Sequence, residues 1–167
     1  MRNVELKCRL LDPERAAELS RELGARHVAT LEQRDTYYET EVGRLKRREC
    51  RGRETEWIAY SRGDSSSARA SDYELFDAGE AAGRFDLATL RSWAVVCKRR
   101  ELWVAGEVRI HLDRVDGLGD FLEFEALVNE RQNEPDARRA LEALYKTLES
   151  VLGAPCPGSY SDMVAAT

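Results

Sequence analysis

Lysine and arginine recur at every second position in two stretches of this 167-residue chain. Arg44, Lys46 and Arg48 form one row, and Lys98 with Arg100 forms another. Lys7, Arg62 and Arg109 occupy matching places in other alternating segments, and so do the acids Glu5, Glu123 and Glu125. Asp113 keeps the same register as Arg109 and His111. Such alternation puts every second side chain on one side of a β-strand, so each row projects from a single face. Cations gathered from several strands around one space would hold a polyanion with about three or four negative charges. The glutamates would add hard oxygen ligands, a set suited to Mg²⁺ or Mn²⁺ bridging to phosphates.

The elements that must position these residues are written as patterns. Asn3-Val4-Glu5-Leu6-Lys7-Cys8-Arg9-Leu10 alternates strictly between polar and apolar residues. Further strands are expected near 27–39, 44–50, 55–62, 70–76, 93–102, 107–115 and 120–129, where alternation returns. Asp12 and Pro13 read as an N-cap and first helical residue, and Ala16, Leu19 and Leu23 follow at helical spacing up to Gly24. They predict a helix over about 13–23. A second helix is expected over about 79–91, weakened by Gly79 and Gly83. The third opens at Pro135, with Ala137, Leu141, Leu144, Leu148 and Val151 on one face and Gly153 past its end. Gly63 to Ser67 reads as a mobile polar turn, and Pro155 to Val164 as a loop with a capped final turn. No internal repeat stands out, so the expectation is one α+β domain over residues 1–167.

Where the ionic face points decides what the chain does. A half-exposed antiparallel sheet with its polar face in water would explain alternation alone. That arrangement favours Thr and Ser, whereas here nearly every position is ionisable and cations and acids segregate to different strands. A dry interior is excluded by magnitude: each buried unpaired ion costs several kcal/mol, against a total stability of about 5–15 kcal/mol. The face must be hydrated or hold a ligand. About eight antiparallel strands closed into a barrel, ionic face inward, would enclose a small ligand, and the helices would cover the apolar outside.

The net charge of −5 and pI near 5.3 oppose a broad nucleic-acid footprint. No run approaches the roughly 20 apolar residues of a membrane span, so no membrane partner is expected. Cys8, Cys50, Cys97 and Cys156 are scattered without CxxC spacing and read as free thiols of a cytoplasmic protein.

Several blocks recur in a telling order: Val4-Glu5-Leu6-Lys7, Gln33-Arg34-Asp35-Thr36-Tyr37, Arg44-Leu45-Lys46-Arg47-Arg48 and Lys98-Arg99-Arg100. Arg109-Ile110-His111-Leu112-Asp113, the block from Gly117 to Glu125 and Ser159-Tyr160-Ser161-Asp162 complete it. The series resembles the CYTH superfamily, or triphosphate tunnel metalloenzymes, which includes class IV adenylyl cyclases, thiamine triphosphatases and inorganic triphosphatases. The Gly-Leu-Gly-Asp-Phe-Leu-Glu block and Ser-Tyr-Ser tail are most similar to the class IV cyclases. The resemblance implies a closed eight-stranded antiparallel barrel with helices outside. It further implies Glu5, Glu123 and Glu125 as ligands of Mg²⁺ or Mn²⁺, and Lys7, Arg48, Arg62, Lys98 and Arg100 as a triphosphate clamp. Arg44, Lys46 and Arg109 are additions to that clamp. Asp113, Lys98 and Arg100 become the candidates for the chemical step, with a purely structural salt bridge as the alternative role for Asp113. One position departs from the family's Glu-x-Glu-x-Lys signature: Asn3 stands where the first glutamate is expected. Asn can still offer a neutral oxygen, and Glu125 supplies a second acid.

The resemblance therefore leads to a metal-dependent enzyme converting ATP to cyclic AMP and pyrophosphate. Hydrolysis of inorganic, thiamine or nucleoside triphosphate is the alternative. A third reading is a non-catalytic nucleotide or polyphosphate sensor, which weakened metal binding through Asn3 would favour. The expected partner is a triphosphate, and the expected state a monomer or homodimer.

Overall fold

The computed structural model describes residues 1–40, 43–62 and 68–166, excluding the side chains of Ser61, Arg62 and Arg69. The expected polar turn at 63–67 lies outside the described residues. The strands are β1 (Arg2–Leu10), β2 (Arg26–Glu39), β3 (Arg44–Cys50), β4 (Glu56–Arg62) and β5 (Arg69–Phe76), then β6 (Ser92–Ala105), β7 (Val108–Val115) and β8 (Gly119–Val128). All pair antiparallel, in the order β5-β4-β3-β2-β6-β7-β8-β1. The circle shuts where Arg2–Glu5 of β1 pair with β5, giving the closed eight-stranded barrel.

Further along β1 its free edge is taken by β9 (Leu152–Pro155), which pairs at Cys8 and Leu10. This strand falls partly in the segment read as a loop from sequence. It is four residues long, too short for alternation to declare it, and exists because β1 outruns β5.

On β1, β7 and β8 the outer face carries the apolar half of each strand and α1 and α3 cover it, whereas Glu32, Arg34 and Arg99 on the outside of β2 and β6 are exposed. Val4, Cys8, Ile110, Leu122 and Phe124 pack against Ala16 of α1 (Pro13–Glu22) and Ala137, Leu141 and Leu148 of α3 (Glu134–Leu148). Asp12 caps α1 by accepting from the Arg15 amide at 2.9 Å, and Gly24, at φ +77°, turns the chain toward β2. The helix α2 (Ala78–Arg84) covers Leu45 and Trp57 through Ala81. It stops earlier than its alanine pattern suggests, because Phe85 goes extended and meets Phe76 edge-on at 5.9 Å. Leu87 and Leu90 then reach the same cluster from irregular backbone.

At one end of the barrel the last helix, α4 (Tyr160–Ala165), sits across the opening. Tyr37, Val96, Val115, Phe121 and Tyr160 form a buried cluster there, with Met163 and Val164 packed on it. Inward-facing positions become apolar where α4 closes the tunnel. No helix among the described residues is long and apolar enough to cross a membrane.

Candidate active site

The barrel encloses a cavity of about 450 Å³. Its wall includes Glu5, Lys7, Lys46, Arg48, Lys98 and Arg100, and also Arg109, Glu123 and Glu125. Strand register explains the gathering. Lys7 lies opposite Glu123 and Glu5 opposite Glu125 between β1 and β8, while β7 sets His111 opposite Glu123 and Arg109 opposite Glu125.

The cations nearest α4 are held in place by buried acids. Asp35 accepts from Arg48 Nε at 2.8 Å and Nη2 at 2.7 Å, and from Lys98 Nζ at 2.7 Å. Burial would push this carboxyl up, but Lys98 and Arg48 hold it well below the usual carboxylate range. Asp113 accepts from Arg100 Nε at 2.7 Å and Nη2 at 2.6 Å, and from the Tyr160 hydroxyl at 2.8 Å. Both its oxygens are engaged, and it stands behind Arg100 rather than at the cavity wall. Lys7 lies 4.0 Å from the centre of the Tyr160 ring and 3.6 Å from Glu123 Oε1.

Lys46 has a different setting. Its ammonium lies 5.9 Å from the centre of the Tyr37 ring and 5.5 Å from that of Tyr60, and no carboxylate is paired with it among the described residues. Burial, with Arg48 adding repulsion, lowers its pKa to about 7, tempered by solvent that still reaches the side chain in the tunnel. Lys98 is pushed down to about 8 by burial, against the opposing pull of Asp35.

The acids form the next zone. Glu123 Oε2 receives Arg100 Nη2 at 2.9 Å and lies 3.7 Å from His111 Nδ1. Glu125 takes the Asn3 amide and Arg109 Nη1, the latter at 3.3 Å, and His111 Nε2 is 3.9 Å away. Burial opposes ionisation of Glu123, yet Lys7, the His111 contact and Arg100 hold its pKa well below the ordinary value. The His111 pKa is lowered as well, by burial and Arg100, which favour its neutral form. Leu31, Tyr73, Leu75 and Leu102 also line the cavity, as do Arg53 and Glu56, and Ile58 sits opposite Lys46.

A divalent metal fits this donor set as a shared ion. Among the described residues no three His, Cys, Asp or Glu side chains already converge as metal ligands. Glu5 and Glu125 are cross-strand partners, however, and Asn3 Oδ1 beside them is buried without a hydrogen-bond partner. Mg²⁺ is usually held by one or two carboxylates plus water and substrate phosphates, which this wall can supply.

One clamp candidate is placed elsewhere and another is not described. Arg44 turns to α4, donating to Ser159 Oγ at 3.0 Å and Asp162 Oδ2 at 2.9 Å, because Asp162 offers it a carboxylate at the barrel rim. The side chain of Arg62 lies outside the described residues. Sequence reasoning gave no role to Asp35 or Tyr160, which fix Arg48, Lys98, Arg100 and Lys7 between them. Asp35 had a signal, since it shares inward parity with the cations it meets; Tyr160 was visible only within the Ser159-Tyr160-Ser161-Asp162 block, because its contacts are remote in sequence.

No curated protein matches the chain. Solved structures do. The PH1012 protein of Pyrococcus horikoshii OT3 is 22% identical, with a TM-score of 0.79, 97% of this chain and 99% of that one being covered. A Vibrio parahaemolyticus protein described as a candidate adenylate cyclase is 20% identical at a TM-score of 0.73, covering 99% and 98%. A Hippeastrum protein described as a candidate adenylyl cyclase with a dominant triphosphatase activity is 17% identical at 0.61, covering 98% and 95%. At these identities the likeness is one of fold. The CYTH domain model matches residues 1–151, so the chain belongs to the CYTH family of triphosphate-tunnel, phosphoryl-transfer enzymes that use divalent metals.

Proposed function

We propose that this chain is a metal-dependent enzyme that takes a nucleoside triphosphate into the tunnel phosphates first, with cyclisation of ATP to cyclic AMP and pyrophosphate as its leading reaction. The observation that carries this reading is the order of zones along the cavity. On β8 the inward positions run from Phe121 in the closed-end cluster to Glu123 and then Glu125, with Lys7 level with Glu123 and Glu5 level with Glu125 on β1, and Lys46, Arg48, Lys98, Leu31, Leu75 and Leu102 complete the wall. The β- and γ-phosphates then rest among the cations, the α-phosphate lies level with the acids, and the organic group packs on Leu31, Leu75 and Leu102.

Charge neutralisation and positioning supply most of the catalysis in phosphoryl transfer. Arg48, Lys98 and Arg100 are already oriented by Asp35 and Asp113, so little reorganisation accompanies binding. The ribose 3′-hydroxyl gives its proton to solvent water as its oxygen bonds to the α-phosphorus, the bond to the bridging oxygen breaks, and the cations hold the departing pyrophosphate. A divalent ion at Glu5, Glu123 and Glu125, whether Mg²⁺ or Mn²⁺, would supply Lewis-acid polarisation of the adjacent phosphoryl oxygen.

Lys46 favours a second reading. In the free tunnel burial lowers its pKa to about 7, a bound triphosphate restores the proton, and the ammonium then holds the terminal phosphoryl oxygens while water attacks the terminal phosphorus and gives its proton to solvent. Attack there releases orthophosphate. Incubation with Mg²⁺ or Mn²⁺ and, separately, ATP, thiamine triphosphate and tripolyphosphate distinguishes the readings by product. Cyclic AMP with pyrophosphate establishes the cyclase, orthophosphate the triphosphatase, and tight binding without turnover a sensor.

A further inference from the structure

A second cavity, of about 600 Å³, lies outside the barrel against β2 and β6, beneath the β3–β4 hairpin. Five arginines line it against three acids, a local positive excess on a chain whose net charge is −5. Arg34, Arg51 and Arg53 have no carboxylate partner among the described residues, unlike Arg99, whose Nη1 is 3.5 Å from Glu101 Oε1, and Arg114, bonded to Asp120 at 2.9 Å. The hairpin that presents two of them is fixed by its backbone: the Arg51 amide donates to Glu32 O at 3.3 Å and the Arg53 amide to Cys50 O at 3.0 Å. Gly52 between them has φ +77°, a conformation that a side chain would strain.

We propose that this groove is a second anion site, separate from the tunnel, for a compact polyanion of the phosphate class. Unpaired guanidiniums set in a concave surface suit phosphate oxygens, which they bind in bidentate fashion. Gln33, Arg53 and Lys98 line both cavities, so an anion in the groove lies one residue's thickness from the triphosphate. The site stands on its own arginines; the choice of a phosphate ligand rests on the triphosphate reading of the tunnel.

Calorimetric titration without metal tests this, with tripolyphosphate and pyrophosphate in separate arms. Two sites per chain are expected. The double substitution Arg34→Ser with Arg51→Ser is expected to weaken one site at least tenfold and leave the other. Lys46→Ala with Arg48→Ala is expected to do the converse. Filling by pyrophosphate identifies a product-like ligand, and filling by tripolyphosphate alone a second substrate-like one. A single site insensitive to the arginine pair overturns the groove and leaves the tunnel reading standing. A single site lost with that pair but not with the tunnel pair overturns the tunnel reading instead. A second measurement does not depend on the tunnel variants folding. Cys50 and Cys97 line the groove, so pyrophosphate is expected to slow their labelling by iodoacetamide several-fold in the parent chain and not in the arginine double variant. Labelling in the parent left unchanged by both pyrophosphate and tripolyphosphate would overturn the proposal.

Discussion

Glu123 touches Arg100, Lys7 and His111 at once, so its charge serves both the cation cluster and the acid zone. Glu123→Gln keeps the shape and removes the charge. It is expected to lower metal-dependent turnover by about 100-fold or more, while Lys98→Ala chiefly raises KM; steady-state kinetics across metal concentrations check both. Unchanged turnover in the glutamate variant would remove it from the metal set. Lys46 gives a pH test with a definite sign. Its folded-state pKa of about 7 lies below the usual 10.5, so from pH 7 to 10.5 the unfolded chain holds the extra proton and stability rises with pH. A polyanion beside Lys46 restores its affinity for that proton. Binding of tripolyphosphate at pH 8 is therefore expected to take up close to one proton at Lys46 and about half a proton at Lys98, whose pKa of about 8 is raised in the same way, read as a dependence of binding enthalpy on buffer ionisation enthalpy. No proton uptake, or uptake unaffected by Lys46→Met, would show that Lys46 is charged throughout.

At the scale of elements, α4 is six residues long and could not persist alone. Three ties hold it: the reciprocal capping bonds of Ser159 and Asp162, the Arg44 link to both, and the Tyr160 hydroxyl on Asp113. Asp162→Ala removes a capping partner and the ion pair together. A loss of about 1 kcal/mol is expected, with faster amide exchange over residues 160–165. Tyr160→Phe spares the ring against Phe121 and beneath Lys7 but leaves Asp113 one donor short. It is expected to weaken triphosphate binding several-fold, a change that fraying of α4 without loss of Arg100 orientation would not produce. The strands were readable because alternation repeats over seven or more residues each. The closing helix was readable only as a capped turn, since nothing local says that Tyr160 fills a barrel end.

Closure of the whole barrel was implied by the family resemblance, while the residues alone said only that so ionic a sheet face could not be dry and must be hydrated or hold a ligand. Glu5, Lys7, Arg48 and Lys98 followed from parity alone. Arg44 shares that parity and still leaves the tunnel, because α4 places Asp162 within its reach, a tertiary fact with no period. The same concentration of charge sets the stability of the molecule. Lys46, Arg48, Lys98 and Arg100 repel one another across the cavity, and Lys98 is destabilised by both arginines. Asp35, Asp113 and Glu123 counter this while ionised. Their depressed pKa values give stability that is full above the ordinary carboxylate range and lost as pH falls below it. A bound polyanion acts in the same direction without needing those acids. At 100 times its Kd, tripolyphosphate should add about 2.7 kcal/mol, which in a chain of this size raises Tm by roughly 5–10 °C. The rise should shrink as salt screens the approach to the tunnel, and differential scanning calorimetry at two ionic strengths measures it. An unchanged Tm at saturating ligand would mean that the cations are satisfied within the barrel and that no triphosphate enters.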